Sequence, residues 1–158
     1  MIMRVRIAEL EAFVGKELGV SEWYEVTQER INAFAHATED DQWIHLDEAR
    51  SREESPYGTT IAHGYFTLSL APRLMRGVLE VTDARFLVNP GIERFRLRAP
   101  VPCGSRIRMH ASLKRMRIMP NGSGHATMSI SFEVEGEKKR CAFGDVNLFY
   151  LVEEEDVS

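Results

Sequence analysis

Two periodicities divide the chain: apolar residues recur at helical spacing up to about residue 80, and alternate with a period of two after Thr82. Ile7 to Leu18 carries Leu10, Phe13, Val14 and Leu18 on one helical face, which predicts a helix ended by Gly19. Glu22 to Val26 suits a strand. Thr27 then stands as N-cap of a helix with Ile31, Phe34 and Ala35 as its apolar stripe, although Arg30 occupies the place where a capping box would have Glu or Gln. Residues 39–60 are polar and irregular, apart from a short helix predicted from Asp47 to Glu54, and have the character of a long functional loop. From Ile61 to Leu79 the chain is almost continuously apolar, with Phe66, Leu70 and Leu74 on one stripe and Tyr65, Leu68 and Met75 on another. This predicts a long helix buried on two faces and kinked at Pro72, whose missing N–H deletes the bond to residue 68.

In the second half Ile92, Arg94, Arg96 and Arg98 alternate against Phe95, Leu97 and Ala99, and Ile107, Met109, Ala111 and Leu113 against Arg106, Arg108 and Ser112. Met128, Ile130 and Phe132 continue the pattern, followed by Ala142, Val146, Leu148 and Tyr150. Turn signals separate the runs at 100–104, 120–124 and 135–137, so three or four long strands form an antiparallel sheet. One long buried helix followed by a strongly curved sheet is an α+β arrangement in which the sheet wraps round the helix. Such a sheet leaves an edge strand. Pairing the edge with a second copy would bury it and make a homodimer; a charged or covered edge would answer equally well.

Length and composition narrow the function classes. At 158 residues the chain fits one domain spanning 1–158, and 44% apolar with 28% charged residues excludes disorder. A net charge of −4 argues against nonspecific nucleic-acid binding, leaving Arg94, Arg96, Arg98, Arg106 and Arg108 as the material for a local basic patch. Cys103 and Cys141 show no metal-ligand or redox spacing and are expected to be buried, inert thiols. There is no run of 18 apolar residues and no long apolar leader, so the protein is expected to be soluble and cytoplasmic, with no membrane partner. The acidic stretch Glu153 to Asp156 reads as a solvated end.

Two places can carry chemistry. Asp40 and His45 are five residues apart, which on a regular helix would set them about 140° apart, so they converge only across a non-helical turn. The turn-like Asp-Asp-Gln-Trp sequence permits that. A His titrating near neutrality and a carboxylate can share one water, one group taking its proton and the other holding it, as hydration of an α,β-unsaturated carbonyl requires. Equally, Asp40 can terminate a helix and leave His45 an ordinary loop residue. The second place is Thr59-Thr60-Ile61-Ala62-His63-Gly64-Tyr65, at the start of the apolar helix. Unpaired N–H groups at a helix start stabilise developing negative charge such as an enolate oxygen, and Gly64 has no side chain to block the approach. The alternative is that Gly64 only permits close packing and His63 is a core histidine. Trp43 reads as a core or pocket-wall aromatic, Asn121-Gly122 as a turn, and His36, His110 and His125 fit no metal-ligand spacing. Arg94, Arg96 and Arg98 form a solvated strand face or meet the phosphates of coenzyme A.

Together the two places resemble the MaoC-like dehydratase family, which includes the (R)-specific enoyl-CoA hydratases. The family motif Gly-Asp-x-Asn-Pro-x-His appears here as Glu39-Asp40-Asp41-Gln42-Trp43-Ile44-His45, and Ile61-Ala62-His63-Gly64 matches the opening of its central helix. Glu39, Gln42 and Trp43 depart from the motif and resemble the branch related to nodulation protein N. Val88 to Gly91 and Pro100 to Ser105 extend the resemblance to residues from about 12 to 150. It implies a hotdog fold, a dimer, no metal or redox cofactor, and syn hydration of trans-2-enoyl thioesters of coenzyme A or acyl carrier protein to (R)-3-hydroxyacyl thioesters. Asp40 and His45 are then catalytic, Gly64 and His63 border the thioester oxygen, and Gln42 and Trp43 lie beside the reacting water. A hotdog thioesterase attacking the thioester carbonyl, and a non-catalytic acyl-thioester-binding protein, are the rival readings.

Overall fold

A computed structural model describes residues 1–152; the acidic stretch at 153–156 lies outside the described residues. In chain order the elements are β1 (Met3–Val5), a 3₁₀ helix (Ile7–Phe13), β2 (Glu17–Val20), β3 (Tyr24–Glu25), α1 (Gln28–Thr38), α2 (Trp43–Leu46) and α3 (Glu48–Glu54). Then follow α4 (Gly64–Ser69), α5 (Ala71–Met75), β4 (Leu79–Val81), β5 (Phe86–Leu97), β6 (Arg106–Ile118), β7 (Gly124–Val134) and β8 (Arg140–Leu151).

The period-two residues build the main sheet, ordered β2-β6-β7-β8-β5, with β3 also on β6. All its pairings are antiparallel, and the register sets Met109 opposite Phe132, Ala111 opposite Ile130 and Leu113 opposite Met128. These six side chains are buried on one face, as their alternation predicts. Gly122 and Gly136, with φ of +86° and +85°, close the β6–β7 and β7–β8 turns in the left-handed region that glycine enters without strain. Phe66, Leu70, Ala71, Leu74 and Met75 from the central helical segment share one core with the sheet, giving the expected α+β hotdog arrangement.

The central segment departs from the predicted helix over Ile61 to Leu79. It begins at Gly64, divides at Leu70 and ends at Met75. Pro72 sits in the first turn of α5, where its missing N–H costs nothing, and Leu70 shares its own N–H between the Phe66 and Thr67 carbonyls at 3.2 Å each. Residues 61 and 62 are extended instead, with the Ala62 N–H donating to the Val101 carbonyl at 2.8 Å. The predicted second apolar stripe also fails at Tyr65, which is 73% exposed.

Ile7 to Leu18 is likewise not one helix. Ile7 and Leu10 are buried with i, i+3 spacing, which a 3₁₀ helix satisfies, and Leu18 and Gly19 belong to β2, paired with β6. Elsewhere the local chemistry holds: Thr27 Oγ1 accepts from the Arg30 N–H at 3.3 Å, and Asp47 caps α3. A parallel pair, β1 with β4, and the Ile7 N–H bond to Asp83 Oδ1 at 2.8 Å fasten the N-terminal segment beside the exit of α5.

β5 is one edge of the sheet, with β2 and β3 at the other, and Phe86, Leu87, Val88, Ile92 and Leu97 on it are each about half exposed. Its register shifts between Val88 and Gly91 and again between Glu93 and Arg96, with Arg94 at a φ of +53°. The second shift brings Phe95 onto the inner face against Phe132, while Arg94, Arg96 opposite Phe143, and Arg98 over the Phe143 ring keep the common outer face that their spacing predicts. No helix among the described residues is long and apolar enough to cross a membrane.

Candidate active site

Helix α1 ends at Thr38, and Glu39, at φ +59° and ψ +21°, turns the chain sharply out of the helix. Asp40 therefore escapes the helical angle that would have kept it from His45. Helix α2 is a single turn, and its first residues lift His45 towards Ile61: Nδ1 lies 2.7 Å from the Ile61 carbonyl oxygen. A carbonyl only accepts, so Nδ1 carries the hydrogen and Nε2 keeps its lone pair. That tautomer is the one a general base needs.

The loop is clamped from behind by α1. Gln28 Nε2 donates to the His45 carbonyl at 2.7 Å, while Gln28 Oε1 accepts from the buried Thr60 hydroxyl at 2.5 Å. The Ile61 N–H donates to the Ile44 carbonyl at 3.2 Å. These bonds tie α1, α2 and the extended 60–62 segment together, and neither Gln28 nor Thr60 has a sequence spacing that would reveal them.

His63 is 2% exposed and its Nε2 donates to the Asp40 backbone carbonyl at 2.9 Å. Its ring stacks on that of His45, with centroids 3.9 Å apart and planes at 26°. A carboxylate oxygen of Asp40 and one nitrogen each of His45 and His63 lie within 4.8 Å of one another. Imidazoles bind a metal in the ring plane, and near-parallel stacked rings direct their lone pairs side by side instead of to one ion, so the cluster is poorly formed for a metal. Burial pulls the His45 pKa below its ordinary value and His63 adds to that pull; the bond to Ile61 and the Asp40 carboxylate oppose it. His45 is thus set to be neutral and accepting at pH 7.

Gly64 is the first residue of α4, with no upstream helical carbonyl for its N–H. It lies on the wall of a pocket of about 310 Å³ that His45, Tyr57, Ile61, Leu97 and Arg98 also line. A Cβ on Gly64 would come 2.2 Å from Leu97 Cδ1, so any side chain there displaces Leu97. Gln42 and Trp43 do not line this pocket. Gln42 is exposed and accepts the His45 N–H on its carbonyl at 3.0 Å, and the Trp43 ring lies under the Arg50 guanidinium, 4.2 Å from its centroid. Arg98, one of the arginines offered for coenzyme A phosphates, is a wall of this pocket, and so is Tyr57, which nothing in the sequence marks. Of the two thiols, Cys141 is buried, with its pKa pushed up to about 11 by that burial, and Cys103 is half-buried.

The family model described as MaoC like domain matches residues 9–134. The 3-hydroxyacyl-thioester dehydratase Z of Mycobacterium tuberculosis is 45% identical over 145 residues, covering 92% of this chain and 95% of that protein. Nodulation protein N of Rhizobium leguminosarum bv. viciae is 37% identical over 134 residues, covering 84% and 83%. Among solved structures, the R-hydratase PhaJ1 from Pseudomonas aeruginosa superposes with a TM-score of 0.73 at 20% identity, covering 97% of this chain and 95% of that one. The fold, the sequence match along most of the chain and the paired motifs agree: the chain belongs to the MaoC-like dehydratase family.

Proposed function

We propose that this protein is a hydro-lyase that adds water to trans-2-enoyl thioesters to give (R)-3-hydroxyacyl thioesters, and catalyses the reverse dehydration. The observation that carries the reading is His45, its Nε2 left bare, on a pocket shared with the first residue of α4 and with a ring nitrogen within 4.8 Å of an Asp40 carboxylate oxygen. His45 and Asp40 hold one water between them. Its oxygen adds to C3 and the displaced proton reaches C2, so the product gains one H₂O and no electrons are exchanged. The Gly64 N–H faces the thioester oxygen as it takes on enolate charge. Arg98 at the pocket wall is placed for the phosphates of a coenzyme A or acyl-carrier-protein thioester, in the cytoplasm.

The apolar edge favours a homodimer in which two β5 strands pair antiparallel across a two-fold axis. That operation exchanges the strand's ends, bringing the partner's residues near 86 towards residues near 97. An apolar cavity of about 500 Å³, lined by Met75, Phe86, Leu87, Leu148 and Tyr150, lies at the 86 end. In the dimer it would adjoin the other subunit's Gly64 pocket and receive the acyl chain. Sedimentation equilibrium is expected to give twice the chain mass; a monomer at micromolar concentration would sink the shared-site arrangement.

Crotonyl-CoA tests the reaction. Enoyl absorbance should fall without release of free thiol, and kcat/KM should decline as the pH drops through a His45 pKa below 6.5, because protonation removes the base. Thiol release without hydration would instead identify a thioesterase, and binding without turnover a carrier.

A further inference from the structure

We propose that His63 is a positioning residue that locks Asp40 and His45 into one arrangement without touching the substrate. It rests on the hydratase reading and concerns how that pair is held. Asp40 follows a left-handed residue and is exposed, so few contacts restrain it. Its backbone meets Thr38 Oγ1 at a long 3.4 Å and His63 Nε2 at 2.9 Å. The second bond is the shorter one and comes from a side chain that is itself immobilised. Phe34 of α1 lies 4.9 Å from the His63 ring, and Phe66 of α4 meets Phe34 edge-on at 5.5 Å. The other neighbour of the ring is His45. One buried imidazole therefore fixes the carbonyl of one member of the pair and the ring plane of the other.

The polar atoms of His63 support this role. The bond to a carbonyl requires the hydrogen on Nε2, which leaves Nδ1 as a lone pair, buried and with no hydrogen-bond partner among the described residues. A phenylalanine would fill the same stack without burying that unsatisfied atom. What histidine adds here is the bond to Asp40. Neither His63 nor Asp40 lines the pocket of His45 and Gly64, but Asp40 is exposed beside it whereas His63 is buried, which separates His63 from groups that contact substrate.

Two variants test the inference with crotonyl-CoA as substrate. His63→Phe keeps the stack and removes the bond, and is expected to lower kcat about 100-fold, the scale of a misplacement near 1 Å, with KM and the melting temperature little changed. Its acid limb in kcat/KM should also move to higher pH, because His63 helps hold the His45 pKa down. His63→Gln, whose amide nitrogen can reach the Asp40 carbonyl, should recover kcat to within several-fold of the unaltered protein. A rise in KM at constant kcat would show that His63 binds substrate, and full activity in His63→Phe would show that it positions nothing; either overturns the proposal. If His63→Phe does not fold, His63→Gln decides alone, since a folded but inactive Gln variant overturns it. Failure of the unaltered protein to hydrate crotonyl-CoA would count against the hydratase reading itself, separately from these comparisons.

Discussion

Replacing Asp40 with Asn is expected to lower kcat for crotonyl-CoA hydration about 10²- to 10⁴-fold, the usual worth of a positioned acid or base, and to leave the melting temperature unchanged. The two halves of this expectation come from different atoms of the same residue. The fold uses the Asp40 backbone, whose carbonyl accepts from His63 and whose N–H meets Thr38, and Asn keeps both. The proposed chemistry uses the carboxylate, which is exposed and near His45 and His63. An amide of nearly the same shape fills its space but its nitrogen cannot accept a proton. Steady-state kinetics beside differential scanning calorimetry separate the two. A variant with near-normal kcat would remove Asp40 from the reaction, and a lowered melting temperature would show that the side chain holds structure.

Phe132→Ala is expected to have the largest effect on stability, a loss of about 3–5 kcal/mol. Phe132 is 0% exposed and lies on β7, opposite Met109 of β6 and Ala142 of β8, so neighbours on both sides are fixed by the sheet and cannot collapse into the vacated space. It also meets Phe95 of β5 edge-on, with centroids 6.4 Å apart and planes at 75°. Phe95 in turn lies so close over Gly144 that a Cβ there would be 2.7 Å from the Phe95 Cα. Removing the Phe132 ring therefore loosens the support under the edge strand as well as the core. In urea the unfolding midpoint should fall with the slope nearly unchanged, and Phe132→Leu should lose less. A midpoint shift corresponding to less than about 1 kcal/mol would mean that the core rearranges to fill the cavity.

Strands β6, β7 and β8 were readable because each has a run of six to eight residues that alternates against a single buried face, which leaves one register that buries Met109, Met128 and Phe132 together. The helical half was less readable where local spacing and tertiary demand diverge. Leu10 and Phe13 fit an α-helix, yet the chain must reverse in time for Glu17 to pair with Ser112, and a short 3₁₀ helix does that in fewer residues. Ile61 and Ala62 are as apolar as the helix that follows, but their backbone bonds go to Ile44 and Val101, contacts without a local signature. In the site, Asp40, His45 and Gly64 could be marked from residue chemistry and family pattern. The Gln28–Thr60 clamp could not, because it joins residues 32 apart through side chains that are commonplace on any surface. The resemblance also grouped Gln42 and Trp43 with the reacting water, whereas a cation over the Trp43 ring draws it to α3.

The two register shifts in β5 bear on solubility before any partner is found. A twelve-residue apolar strand at the edge of a sheet is, if flat, a template onto which further strands can add without limit. This one is not flat. Pro90 offers no N–H, the first shift falls around it, and the second carries Glu93, Arg94 and Arg96 through a left-handed residue. A copy aligned one residue out of place would set charge against apolar side chains and miss both irregularities at once. The strand is thereby interrupted against the open-ended stacking that leads to fibrils, while an alignment that matches both notches keeps its hydrogen bonds available.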